Sequence, residues 1–177
     1  MKKILLICLI VLFVGEMSPK LAEVKKTPKD RSPEEVMNYV EKAINLILEI
    51  GEEKAFAELT ESKGKWVAGD WYIYVNNFDG FVVAHLNKKL VGMNLLGVRD
   101  VKGNPFYVEL QKAAQRKEGQ GWVEYWWPKA NSKIPARKLG FGKAVPGKRI
   151  WVGTGVYGMS DANIQTVLEK HVDQNVR

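Results

Sequence analysis

The chain has 177 residues, is 46% hydrophobic and 27% charged, and carries a formal charge of +7. That length fits one domain able to bury a sizeable core, and that composition excludes disorder throughout. Much of the positive balance falls before residue 32 and no arginine-rich stripe or nucleic-acid motif follows. The charge therefore gives no case for a nucleic-acid partner, only a mild attraction for anions.

Met1-Lys2-Lys3 followed by the apolar run Ile4 to Gly15 reads as a secretory leader. The run is too short for an ordinary transmembrane helix, which needs roughly 20 residues. Small residues at Gly15 and Ala22 suit cleavage, so residues 1–22 are expected to be a signal peptide, or an uncleaved N-terminal anchor. Residues 23–31 are expected to form a tether, and 32–177 a single exported domain, periplasmic or extracellular. Cys8, the only cysteine, lies inside the apolar run behind Ile7, which is too large for a lipoprotein cleavage box. The mature domain then has no disulfide, and its core must hold it alone.

Ser32-Pro33-Glu34-Glu35 is a helix start with a Ser N-cap, Pro at the first position and a capping box. Val36, Val40, Ala43, Ile47 and Ile50 recur at spacings of three and four, widened by Met37, Ile44 and Leu48. Such a helix lies on something broad, such as a sheet. Gly51 interrupts it, and Glu52 to Leu59 forms a second piece with Ala55, Phe56 and Leu59 inward. Trp71 to Asn76 and Phe81 to Leu86 then read as a hairpin around Asn77-Phe78-Asp79-Gly80. Val83 and Phe81 precede His85 on one face of the second strand. Asn87 to Asp100 reads as a long loop, of a length that often binds or covers ligands. Asn104-Pro105 is expected to cap a helix running to about Lys117, with Gly119 closing it.

Gly119 to Pro128 holds half of the six tryptophans and reads as one strand with punctuated ends. Alternation puts Trp122, Glu124 and Trp126 on one face and Val123, Tyr125 and Trp127 on the other. Ala136 to Val145 and Arg149 to Tyr157 are further strands, and Ser160 or Asp161 caps a last helix to about His171. Hairpin-length connections make the sheet antiparallel, and one helix-bearing crossover makes the class α+β.

Three catalytic readings are weak. Gly153-Thr154-Gly155-Val156-Tyr157-Gly158 matches a dinucleotide fingerprint after a strand, but too little chain follows for a βαβ unit. Glycines there give backbone room in a crowded strand. The two histidines, His85 and His171, stand far apart and no short-spaced ligand set exists, so no metal or other cofactor is expected. His171 suits the end of a helix. No nucleophile motif occurs, and Glu124 is one acid without a partner. A binding protein is the better reading than an enzyme.

The ordered motifs (Gly51 to Ala55, Tyr72 to Gly80, FVVAHLNKKLVGMNLL, DVKGNPF, GQGWVEYWWP, Lys138 and WVGTGVY) resemble the single-Cache sensor family, second type, from about Ser32 to Tyr157. The resemblance implies a PAS-like antiparallel sheet of about five strands with the long N-terminal helix packed on it, outside the cytoplasmic membrane. It also implies sensing of short carboxylates such as pyruvate, lactate, acetate or propionate. Most members are input halves of chemoreceptors or histidine kinases; with no signalling domain after Arg177, this chain is similar to stand-alone members. It departs from the family at Leu86, where proline is usual after the histidine, and at Phe141, where tyrosine is common.

The residues so singled out suit a carboxylate pocket. A small anion leaving water needs charge-assisted hydrogen bonds, each worth roughly 1.5–3 kcal/mol. Lys138 supplies charge, His85 a donor, Tyr72, Tyr74 and Tyr125 hydroxyls, and Trp127 an apolar wall. A ligand of about six heavy atoms reaches at most about −9 kcal/mol. The expected partners are a small organic acid, a membrane-bound sensor or transporter, and a second copy through the long helix. The rival readings are an interaction protein that keeps the fold without a ligand, and a hydrolase using Glu124 or His85. A pocket filled by the protein's own side chains would favour the first rival.

Overall fold

The computed structural model describes residues 31–172 except Asn131, and for 171 and 172 only the backbone. The expected leader, Cys8 and nearly all of the tether lie outside the described residues, as does the His171 side chain.

Helix α1 (Pro33–Ile50) starts as its sequence demands. The Ser32 hydroxyl accepts from the Glu35 N–H at 3.2 Å, and the Glu35 carboxylate accepts from the Ser32 N–H at 2.8 Å. This reciprocal cap is worth about 1 kcal/mol. Val36, Val40, Ala43, Ile44 and Ile47 are fully buried, each contributing roughly 1–3 kcal/mol of apolar burial. Gly51, at φ 84°, ends the helix in a conformation that favours glycine, and α2 (Glu52–Leu59) buries Ala55 and Leu59.

The main sheet contains β3 (Tyr74–Asn77), β4 (Val82–Ala84), β5 (Gln120–Pro128), β6 (Pro135–Ala144) and β7 (Ile150–Tyr157). Its order is β4-β3-β7-β6-β5 and every pairing is antiparallel. On one face α1, α2 and α4 (Asp161–Val172) cover Val75, Leu139, Phe141, Val152 and Val156. On the other, α3 (Phe106–Ala114) joins Tyr72, Tyr74, Val123, Tyr125 and Trp151. Both sheet faces are therefore covered, which accounts for apolar rows pointing both ways along β5.

The structure differs from the sequence reading in five places. The first expected strand breaks at Ile73: β2 (Trp71–Tyr72) turns aside to pair with β1 (Val67–Ala68), while β3 enters the main sheet. The Tyr72 carbonyl accepts from the Thr154 hydroxyl at 2.8 Å, holding β2 to β7 where no ladder continues. The second strand stops at Ala84. Phe81 is exposed and Val83 packs on the core that α1 and α2 cover, so His85 reaches the opposite face as the chain leaves the strand, past a register shift at Val75/Asn76. α3 ends at Ala114 and has no side-chain cap; the Asp100 carboxylate instead accepts from the N–H groups of Lys102, Asn104 and Trp126. Gly119, at φ 66°, thus opens β5 rather than closing the helix. The 87–100 loop is tied down by a 3-10 turn over Lys88–Leu90, a bridge from Asn94 to Phe81 and the buried Leu95. Trp122 packs on the α1 face against Phe141, but Trp126 belongs to neither core and lies beside the Lys102 ammonium.

Candidate functional site

The α3 face of the sheet carries an aromatic chamber around one lysine. Register places Lys138 of β6 directly between Tyr125 of β5 and Tyr157 of β7, so the three side chains share a face. Lys138 sits on an inner strand and is 1% exposed, not at a solvated edge. Its Nζ lies 4.8 Å from the Tyr72 ring centroid, 5.1 Å from Tyr157 and 5.7 Å from Tyr74. Tyr72 and Tyr74 flank His85 at centroid distances of 5.1 and 6.2 Å. Phe106 of α3 stacks on Tyr125 at 4.4 Å and tilts against Trp127 at 5.2 Å.

Glycines make this crowding possible. A Cβ at Gly155 would lie 2.6 Å from Lys138 Cε, one at Gly153 would lie 2.3 Å from the Tyr74 ring, and one at Gly140 2.5 Å from the Tyr125 ring. The dinucleotide-like run is thus a strand surface planed flat for large side chains. Its first two glycines lie within β7 rather than in a loop that opens a helix.

The electrostatics are those of a cation in a nearly dry aromatic setting. Burial pushes Lys138 down from 10.5 to about 7, with the Asp70 charge opposing. Among the described residues no carboxylate pairs with it. Asp70 is engaged elsewhere, with Lys129 at 3.9 Å and the Ala130 N–H at 2.9 Å. Burial, and then the Lys138 charge, pushes His85 down to about 3. His85 is neutral at ordinary pH, and its Nδ1 accepts from the Asn87 N–H at 2.8 Å. The proton therefore resides on Nε2, which is a donor. Burial pushes the Tyr72 phenol up to about 12, with Asp70 adding and a hydrogen bond from Trp127 opposing. It also raises Tyr74 and Tyr125, so every hydroxyl keeps its proton. The Tyr74 hydroxyl donates to the Thr154 carbonyl at 3.3 Å and stands 3.5 Å from the Tyr125 hydroxyl, long contacts that leave both able to turn.

Two spaces adjoin these groups. An inner cavity of about 10 Å³ is bounded by all six residues singled out from the sequence (Tyr72, Tyr74, His85, Tyr125, Trp127 and Lys138) together with Phe106, Tyr107 and Leu110. An outer, open cleft of about 820 Å³ shares Tyr72, His85 and Trp127 with it and continues along Val67, Leu86 and Leu90. The structure thus brings the whole expected set to one place. Sequence reading missed Tyr157, Phe106 and Tyr107. Alternation from Tyr125 through the β5–β6–β7 register finds Tyr157, whereas the α3 residues had no signal beyond their apolar spacing.

The other candidates go elsewhere. Glu124 lies with Trp122 on the α1-side row, forms a two-point pair with Arg137 at 2.6 and 3.1 Å, and shares that arginine with Asp161. Its carboxylate is a surface anchor for α4, remote from the chamber's face. Among the described residues no group of three acidic, histidine or cysteine side chains is placed to hold a metal.

The family model for the Cache domain matches residues 34–170, and the chain belongs to the Cache domain family. Among solved structures it is similar to a Cache chemosensory domain described for carboxylic acid recognition, at 22% identity and TM-score 0.63, covering 70% of this chain and 91% of that one. A methyl-accepting chemotaxis protein from Vibrio parahaemolyticus RIMD 2210633 matches at 22% identity and TM-score 0.62, over 70% and 86% of the two chains. The periplasmic sensor domain of a chemotaxis protein matches at 26% identity and TM-score 0.55, over 68% and 86%. The chain therefore has the fold of chemosensory Cache domains. Among the described residues no helix is long and apolar enough to cross a membrane.

Proposed function

We propose that the protein is an extracytoplasmic sensing module that binds a short organic carboxylate of the acetate, propionate, pyruvate or lactate class through Tyr72, Tyr74, His85, Tyr125, Trp127 and Lys138. One observation carries the reading: Lys138 is a buried cation with no carboxylate partner among the described residues. A buried charge is strongly unfavourable unless paired. An incoming carboxylate supplies the missing charge, accepts from His85 Nε2–H, and takes tyrosine hydroxyls as further donors. The similarity to a Cache domain described for carboxylic acid recognition supports the ligand class. The apolar leader supports export, and the reading extends to a membrane-bound sensor or transporter that receives the signal and to pairing of two copies along α1. Binding, not catalysis, is the activity.

Thermal denaturation with each of the four acids near pH 6.5 tests this. An acid at a hundredfold over its Kd stabilises by about 2.7 kcal/mol, a rise of roughly 5–10 °C in Tm. The rise disappears in Lys138→Met. No shift with any of these acids would sink the proposal.

The rival reading, a ligand-free interaction protein, draws support from the inner cavity, whose roughly 10 Å³ admits one water at most. The three tyrosine rings attract the ammonium but leave its charge unneutralised, so the carboxylate reading accounts for more.

A further inference from the structure

The inner cavity of about 10 Å³ is too small to hold even the carbon skeleton of a two- or three-carbon acid without displacement of its rings. The outer cleft, at about 820 Å³, lies within the size range of sites that enclose whole small molecules. The two are not independent spaces. Tyr72, His85 and Trp127 line both and form the partition between them. Lys138 lines only the inner space, with its Nζ 4.8 Å from the centroid of the Tyr72 ring that both spaces share. Beyond these three residues the cleft has a mixed lining with one apolar side. Val67, Leu86 and Leu90 line the cleft beside Trp127 and are partly buried against the same aromatic core. The opposite wall is polar, with Asn87, Lys129 and Lys133, so the Val67, Leu86 and Leu90 side is where the hydrocarbon end of an acid anchored on Lys138 finds apolar contact.

Resting on the carboxylate reading above, we infer that the site is bipartite and prefers carboxylic acids with an apolar tail of several carbons over the two- and three-carbon acids, with the carboxylate at the partition and the tail in the cleft along Val67, Leu86 and Leu90. The shortest acids occupy the anionic end alone. Each methylene added beyond them removes apolar surface of the tail and of the cleft wall from water. Full burial of a methylene is worth about fourfold in affinity, from about 0.8 kcal/mol. A cleft open on one side returns part of that.

Isothermal titration of the purified protein with the straight-chain series acetate, butanoate and hexanoate, near pH 6.5, reads the inference directly. Affinity is expected to rise two- to fourfold per methylene through hexanoate. Leu90→Trp, which fills the cleft, is expected to weaken hexanoate at least tenfold and acetate less than twofold. If that variant does not fold, Val67→Phe narrows the same wall from the other side and carries the same expectation. A series that is flat or falls beyond acetate, or cleft variants that weaken acetate and hexanoate alike, overturns the bipartite site. If acetate still binds and Lys138→Met abolishes that binding, the carboxylate reading survives this failure. If no acid in the series binds, both fall together.

Discussion

Replacing Lys138 by methionine keeps the unbranched stem and removes the charge. Burial holds this lysine near 7 against an ordinary 10.5, a gap worth roughly 5 kcal/mol at about 1.4 kcal/mol per pH unit. That is an upper bound on what the variant recovers. Exchanging buried charged groups for apolar ones of similar volume recovers about 1–4 kcal/mol. The methionine variant is therefore expected to be more stable than wild type by about 2–4 kcal/mol at pH 6, a Tm gain of roughly 5–10 °C. The pH dependence distinguishes this cause from better packing. Because the folded pKa lies below the unfolded one, the cost is fully present below pH 7. It is relieved between 7 and 10.5, as the native chain gives up its proton first. The gap between variant and wild type should be constant below pH 7 and narrow by up to about 1.4 kcal/mol per unit above it. Urea denaturation without added acid at pH 6, 7.5 and 9 measures this. A variant less stable than wild type at pH 6, or a gap independent of pH, would refute the reasoning.

Carboxylate affinity should be full below pH 7 and fall up to tenfold per unit above it, as free Lys138 loses its proton; a flat calorimetric profile from pH 6 to 9 would remove Lys138 as the anchor. His85 is held near 3 when folded and titrates near 6.5 when unfolded, so it takes stability away as pH falls through that window. His85→Phe should lose this part of the acid sensitivity, and unchanged slopes of stability against pH between 6.5 and 3 would contradict the assignment. Gly155→Ala puts a methyl 2.6 Å from Lys138 Cε and 2.9 Å from the Leu139 carbonyl oxygen, and should cost about 1–3 kcal/mol. Gly97→Ala meets open space and should stay within about 0.5 kcal/mol, so equal effects in denaturant would undo the packing argument. Glu124→Gln breaks a partly exposed pair and should cost about 1 kcal/mol or less while leaving acid affinity unchanged; a loss of binding would move the site to the other face.

Features set by local chemistry were legible in the sequence. Ser32 to Glu35 starts α1 as a capping box must, and Gly80, at φ 92°, turns the hairpin where a left-handed residue was needed. Two-residue alternation in β5 separated Trp122 from Tyr125 and Trp127 correctly, because a paired strand leaves no other arrangement. Long-range geometry was the part that stayed hidden. The break at Ile73 depends on β1 pairing with β2 and on the Thr154 hydroxyl reaching across from β7, neither visible in the strand itself. Alternation places His85 beside Phe81 and Val83, but it no longer governs a residue just past a strand's end. The end of α3 at Ala114 was masked by helix-forming residues up to Lys117. All six expected site residues converge on one chamber, yet its small inner volume and its continuation into the outer cleft depend on ring orientations that no spacing encodes.

Gly153 and Gly155 connect the fold to the proposed activity. Strands gain little from glycine, which packs no side chain and costs backbone entropy. Here the two glycines of β7 and Gly140 of β6 vacate the volume that the Tyr74 ring, the Lys138 stem and the Tyr125 ring occupy. Two unfavourable choices, the strand glycine Gly155 and a buried ammonium, thus sit in contact. Gly155 gives room to the lysine stem, Gly153 and Gly140 give room to the Tyr74 and Tyr125 rings beside it, and the lysine gives the surface a charge. A core built for stability alone would fill the same space with an aliphatic side chain on each strand. Under the proposed function, an anion meeting the ammonium would make the arrangement favourable, and the energy withheld from the unliganded fold is what a carboxylate would recover on binding.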